Sequence, residues 1–152
     1  MAWSNQKIYS ALQSLPDESP DAFVINPDWT SRVILKHIVR GANWFVYCLG
    51  LGKLERIRTP NSTTELQGLG EFLARLDSKI LEASTLEYEL LEIQEDEGSF
   101  KAFRSTIIAQ ALHHATEHRA QLIDALESRN FTPIKLDDID LWAFQDYENP
   151  QI

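Results

Sequence analysis

Apolar residues return at steps of three and four along four stretches of this chain, and that period commits most of it to amphipathic helix. Ser4 stands where it can cap a first helix carrying Ile8, Ala11, Leu12 and Leu15, which Pro16-Asp17-Glu18-Ser19-Pro20 then closes. After a connector to about Asp28, Thr30 or Asp28 caps a second helix predicted to reach about Leu49, where Gly50 and Gly52 end it. Its apolar face carries Ile34, Ile38, Gly41, Phe45 and Cys48, with Lys36, Arg40, Asn43 and Tyr47 opposite. The third helix opens on Ser62-Thr63-Thr64-Glu65, a capping box in which hydroxyl and carboxylate satisfy each other's orphan backbone donors. Leu66, Leu69, Leu73, Leu76 and Ile80 follow on one face. The stretch from Tyr88 to Phe103, with Asp96-Glu97-Gly98 in its middle, reads as a small hairpin or an irregular crossover. A fourth helix is predicted from about Arg104 to Arg129, with Asn130 available for a left-handed stop. A short last helix around Asp138 to Tyr147 is expected to lay Leu141, Trp142 and Phe144 against the rest. Four helices with one strong apolar face each can bury those faces together, so the expected architecture is an all-α bundle, one domain over residues 1–152.

Charge and cysteine usage narrow the function classes. Lys and Arg number 14 against 23 Asp and Glu, a net charge of -9, and no basic stripe is expected to offset that balance locally. Nucleic-acid backbones and anionic membranes are therefore disfavoured as partners. The single cysteine, Cys48, forms no internal disulfide and supplies no thiolate cluster, which favours a reducing, cytoplasmic setting. No apolar run approaches the ~20 residues that cross a bilayer, and the first residues lack a signal-peptide pattern.

The histidines sit on the wrong side of their helices. At about 100° per residue, His114 and His118 fall within about 20° of Ile107, inside the apolar arc formed by Ile107, Ala111, Leu122 and Ala125. On the second helix His37 lies about 60° from Ile34, again in the apolar sector. His113 and Glu117 rotate outward. A lone imidazole on an apolar face is usually a satisfied structural residue, but here three of the chain's four histidines turn inward. Each buried polar group left without a partner costs about 1–3 kcal/mol. One divalent ion shared by His37, His114 and His118 would answer all three, with a spare position for water or substrate.

Other motifs compete less well. His114-Ala115-Thr116-Glu117-His118 matches HxxEH, but that zinc-protease motif belongs to much larger chains whose third ligand is a downstream acid. Glu117 is thus a solvated carboxylate or, second, a proton acceptor beside the ion. A di-iron centre needs Glu-x-x-His pairs, and Ala111 and Ala115 stand where those acids would be. Cys48 lies eleven residues beyond His37, about 16 Å along the axis, too far to share its ion. Trp3, Trp29, Trp44 and Trp142 are read as seals of the bundle. Gln121, one turn past His118 on the same side, is a candidate to support that ligand or to bond substrate, while Arg119 points farther round as a structural residue.

Taken in order, Trp3-Ser4-Asn5-Gln6, Leu15-Pro16-Asp17-Glu18, Leu35-Lys36-His37-Ile38 and His114-Ala115-Thr116-Glu117-His118-Arg119-Ala120-Gln121 give a pattern that resembles the DinB/YfiT-like family over essentially the whole chain. That resemblance implies an up-down-down-up four-helix bundle whose nickel, zinc or iron is held by His37, His114 and His118. It also implies a homodimer, and a metal-dependent hydrolase or thiol-dependent S-transferase acting on a small molecule, with a low-molecular-weight thiol as possible co-substrate. One departure is Ala120, where the family often has Gly; Ala is the better helix former. The rival expectation is a non-catalytic bundle or dimer that the metal or the histidine cluster merely stabilises.

Overall fold

The computed structural model describes residues 1–150. In chain order they form α1 (Ala2–Leu12), α2 (Ser31–Cys48), α3 (Thr63–Ser84), β1 (Leu90–Glu95), β2 (Gly98–Phe103), α4 (Arg104–Glu127) and α5 (Leu141–Glu148). Short 3-10 turns occupy Ser19–Asp21 and Leu136–Ile139. Among the described residues the protein is mostly helical with one small two-stranded sheet, which is the hairpin alternative expected between Tyr88 and Phe103. α2 packs on both α3 and α4, and α1 packs on α3. Their facing residues Ile34, Leu35, Val39 and Val46 of α2, Leu73 of α3 and Leu122 and Leu126 of α4 are essentially sealed from water. Each such side chain contributes about 1.5–3 kcal/mol.

Local chemistry sets the boundaries. Thr30 is the N-cap of α2 by backbone geometry but makes no side-chain cap bond. Instead the Ser31 amide and hydroxyl both donate to the Ala22 carbonyl, at 2.8 and 3.2 Å, tying the start of α2 to the preceding connector. Gly50, at φ 73°, supplies the left-handed residue after α2, and the Leu51 amide closes back on the Val46 carbonyl at 3.0 Å. Asn130 does the same after α4, at φ 63°. Ser62 caps α3 by accepting from the Glu65 amide at 3.2 Å, but Glu65 returns its carboxylate to the Asn61 amide at 2.6 Å, one residue earlier than a capping box requires.

Between α3 and α4 the chain forms a hairpin, with Leu90 opposite Phe103 and Glu95 opposite Gly98. Ile93 anchors it in the core, and the Tyr47 hydroxyl donates to the Gln94 carbonyl at 2.8 Å, fixing it to α2.

Three expectations are corrected. Ser4 lies inside α1, which begins at Ala2, and its hydroxyl donates to the Ile139 carbonyl at 2.9 Å; a helix end is not its task. Asn43, expected on the polar face of α2, is buried and grips the following segment at both ends, donating to the Lys53 carbonyl at 3.1 Å and accepting from the Glu55 amide at 2.8 Å. A buried amide is tolerated where both of its polar ends are matched. Leu141 and Trp142 of α5 are 81% and 74% exposed, so only Phe144 packs inward, tilted against Trp3 with ring centroids 5.4 Å apart. The buried Ile139 of the preceding turn, not α5, anchors this end of the chain.

Candidate metal centre

α2 and α4 cross where His37 meets His114 and His118. The contact is that close because of Gly41: a Cβ there would overlap the His114 ring, so glycine alone lets the imidazole lie against the α2 backbone. Phe45, one turn on, meets His114 edge-on at 5.6 Å between centroids. The expected ligand set comes together. One nitrogen from each of His37, His114 and His118 lies within 4.8 Å of the others, and Nε2 of His114 is 3.2 Å from Nε2 of His37. Two nitrogens bound to one ion at ~2.05 Å with tetrahedral angles would stand about 3.4 Å apart, so the His37–His114 pair is spaced for a shared divalent ion.

A hydrogen-bond relay fixes which nitrogen His118 offers. The Trp29 indole N–H donates to Oε1 of Gln121 at 3.1 Å, and Trp has no acceptor to give in return. That contact orients the Gln121 amide and leaves the same oxygen, 2.9 Å from Nδ1 of His118, as an acceptor. Nδ1 must therefore carry the proton, and Nε2 keeps its lone pair for the cluster. This arrangement of a ligand's far nitrogen on a neighbouring carbonyl is what metal-binding histidines generally show. The other end of the Gln121 amide donates to Oε1 of Glu117 at 3.4 Å.

Burial and charge favour the neutral form of His37 and His114. Burial, followed by the neighbouring His118 and His37, lowers His114 to a pKa of about 4. His37 is lowered by burial, then by His118 and Arg40, with Glu117 acting the other way. Neutral imidazoles are the form that ligates. His118 is 9% exposed, while His37 and His114 are half-buried, so the cluster is open on one side.

The remaining candidates separate cleanly. Gln121 is at the site, and Glu117 is exposed beside it, hydrogen-bonded to Gln121. His113 is exposed on the far side of α4. Cys48 is buried core, its thiol pushed up to about 11 chiefly by burial. Trp29 was expected only as a seal; its ring stands edge-on to His37 at 5.2 Å and to His118 at 6.0 Å, and its N–H starts the relay. It sits in the connector just before α2, outside any helical period, where spacing says nothing.

Sequence reading also missed a second buried polar group. Asn5 donates to Oδ2 of Asp77 at 2.9 Å, and Arg119 donates through Nη1 to Oδ1 of Asn5 at 3.0 Å. All three residues are buried, Asp77 to 3% exposure. Asp77 stands within the apolar rhythm of α3, between Leu73 and Ile80, and an acid on that face was the available signal.

A mostly helical protein whose three imidazoles converge at a helix crossing is a candidate metalloprotein. The chain matches the DinB family over residues 1–143 and belongs to that family. No curated protein and no solved structure matches it.

Proposed function

We propose that His37, His114 and His118 hold a divalent ion, zinc, nickel or iron, and that the protein uses it as a hydrolase or thiol S-transferase on a small molecule. The observation that carries this reading is the fixed tautomer of His118, whose free nitrogen faces two other neutral imidazoles. Nε2 of His114 and Nε2 of His37 stand within hydrogen-bond distance of each other, and a shared ion would replace that bond and engage the His118 nitrogen as well. When bound, such an ion supplies Lewis acidity that lowers the pKa of a water or thiol beside it. The chain's own residues then divide the work. Gln121 orients His118, Gly41 gives His114 its place, Trp29 and Phe45 wall the cluster with aromatic edges, and Glu117 stands at the open rim as a proton acceptor. The open side favours a catalytic role over a purely structural ion, because structural sites are closed by protein ligands.

The packing of α2 on α3 and α4, and of α1 on α3, supports reading the helices as an up-down-down-up bundle in one domain. The experiment is metal analysis of purified and reconstituted protein beside His114→Ala. About one ion per chain is expected in the parent and none in the variant, with equal helicity. Absence of a bound ion in both the native and the reconstituted parent would overturn the reading. Ester and amide substrates, assayed beside electrophiles with a low-molecular-weight thiol, then separate hydrolase from transferase.

A further inference from the structure

Acidity is not spread evenly over this chain. From Trp29 to Thr64 it carries Arg32, Lys36, Arg40, Lys53, Arg56 and Arg58 against Glu55 alone, so a basic region does interrupt the acidic surface, contrary to the sequence expectation. The fold gathers part of it into a groove. Asn43 holds the backbone of Lys53 and Glu55 against α2, and the segment from Leu54 to Ile57 thereby forms the outer wall of a groove of about 510 Å3. Lys36 and Arg40 line its α2 side and Arg56 faces them, while Trp44, Leu54 and Ile57 supply apolar wall. None of the three cations pairs with a carboxylate among the described residues. Glu55 also lines the groove, so three cations stand there against one carboxylate that pairs with none of them, and the net positive charge raises the local potential for an anion. The volume falls within the range of small-molecule sites.

The groove lies beside His37 along α2, although no histidine lines it. Lys36 precedes His37 directly, and Arg40 follows it by three residues, a spacing that puts side chains on neighbouring rows about 5–6 Å apart at Cβ. We propose that this groove binds the anionic end of the substrate, so that the substrate class is a small organic acid: a carboxylate or phosphate head held by Lys36, Arg40 and Arg56, joined to an apolar or aromatic body lying on Trp44 and Ile57. This deepens the metal-dependent reading above and rests on it for the orientation of the substrate, though not for the binding itself.

The test uses 4-phenylbutyrate, its neutral amide and inorganic phosphate as probes, titrated into full-length protein and followed by backbone amide NMR and calorimetry. The acid is expected to bind at least tenfold more tightly than the amide or phosphate, with shifts at Lys36, Trp44 and Arg56. Arg40→Glu with Arg56→Glu should weaken it at least tenfold, whereas Lys101→Glu on the hairpin should leave it unchanged. Should the double variant lose helicity, Arg56→Ala on the exposed outer wall serves, with a loss of several-fold. In cobalt-loaded protein the proton lines of the bound acid should broaden. Equal affinity for acid and amide, indifference to the Arg variants, or tighter binding of a 12-nucleotide DNA strand would each overturn the proposal. Failure to bind cobalt sinks the metal reading and leaves the groove to be judged by the other arms. Cobalt binding without broadening of the bound acid sinks the groove's link to the histidines and leaves the metal reading standing.

Discussion

α4 carries two buried polar groups one residue apart in sequence, and they are built on opposite principles. Arg119 belongs to a closed set: its guanidinium reaches Asn5 and the Thr116 hydroxyl, and Asn5 passes the link to Asp77. Donors meet acceptors there, α1, α3 and α4 are joined, and Oδ1 of Asp77 is the buried atom of the set left without a partner among the described residues. His118 belongs to an open set. Its Nδ1 is committed to Gln121, while one nitrogen from each of His37, His114 and His118 lies within 4.8 Å of the others. The first arrangement stabilises the fold. The second leaves coordinating capacity unspent, which is what a ligand site requires.

Substitutions can break that comparison. The largest effect is expected from Gly41→Ala, because the added methyl occupies the space of the His114 ring. Zinc affinity, measured by competition with a chelating dye, should fall more than 100-fold while the helical spectrum persists; an unchanged affinity would show that His114 is not a ligand. Asn5→Leu should act in the opposite sense. It strands Asp77 and Arg119 as buried charges and should cost about 3 kcal/mol in urea unfolding, with zinc affinity of the folded protein little altered. Equal loss of affinity would mean that the two groups are coupled. Gln121→Leu, or Trp29→Phe one step back along the relay, should lower zinc affinity about 10–100-fold, the range typical of partners behind a ligand. Nitrogen NMR of His118 should show its tautomer no longer fixed.

The smallest effect is in the pH dependence of the metal-free protein. His114 titrates near 6.5 when unfolded and at about 4 when folded, so its contribution to stability is present above pH 6.5 and is lost as pH falls toward 4. Asp77 is raised from 3.8 to about 6, chiefly by burial, so its contribution is present below 3.8 and is lost as pH rises through 6. The two oppose each other between pH 4 and 6. Relative to the parent, His114→Gln should become more stable as pH falls through that window and Asp77→Asn less stable, as read from urea midpoints. Parallel curves for both variants would refute the assignment.

Period and composition determined a good deal. The steps of three and four located α2, α3 and α4 nearly to the residue, because burial of an apolar face is written directly into spacing. The same count turned His37, His114 and His118 inward, because angle on a helix follows from residue number alone. Tertiary structure decided what depends on atoms from distant segments. Ser4 looked like a cap because capping chemistry is local, yet its partner, Ile139, lies at the other end of the chain. Trp29 and Gln121 meet across 92 positions, and Asn5 and Asp77 across 72, with no pattern along the chain to announce either contact. Leu141 and Trp142 have the composition of a buried face, but the packing leaves them exposed and buries Ile139 instead. Spacing along a helix is a one-dimensional property and survives in the sequence; the choice of hydrogen-bond partner is three-dimensional and is settled only when the helices pack.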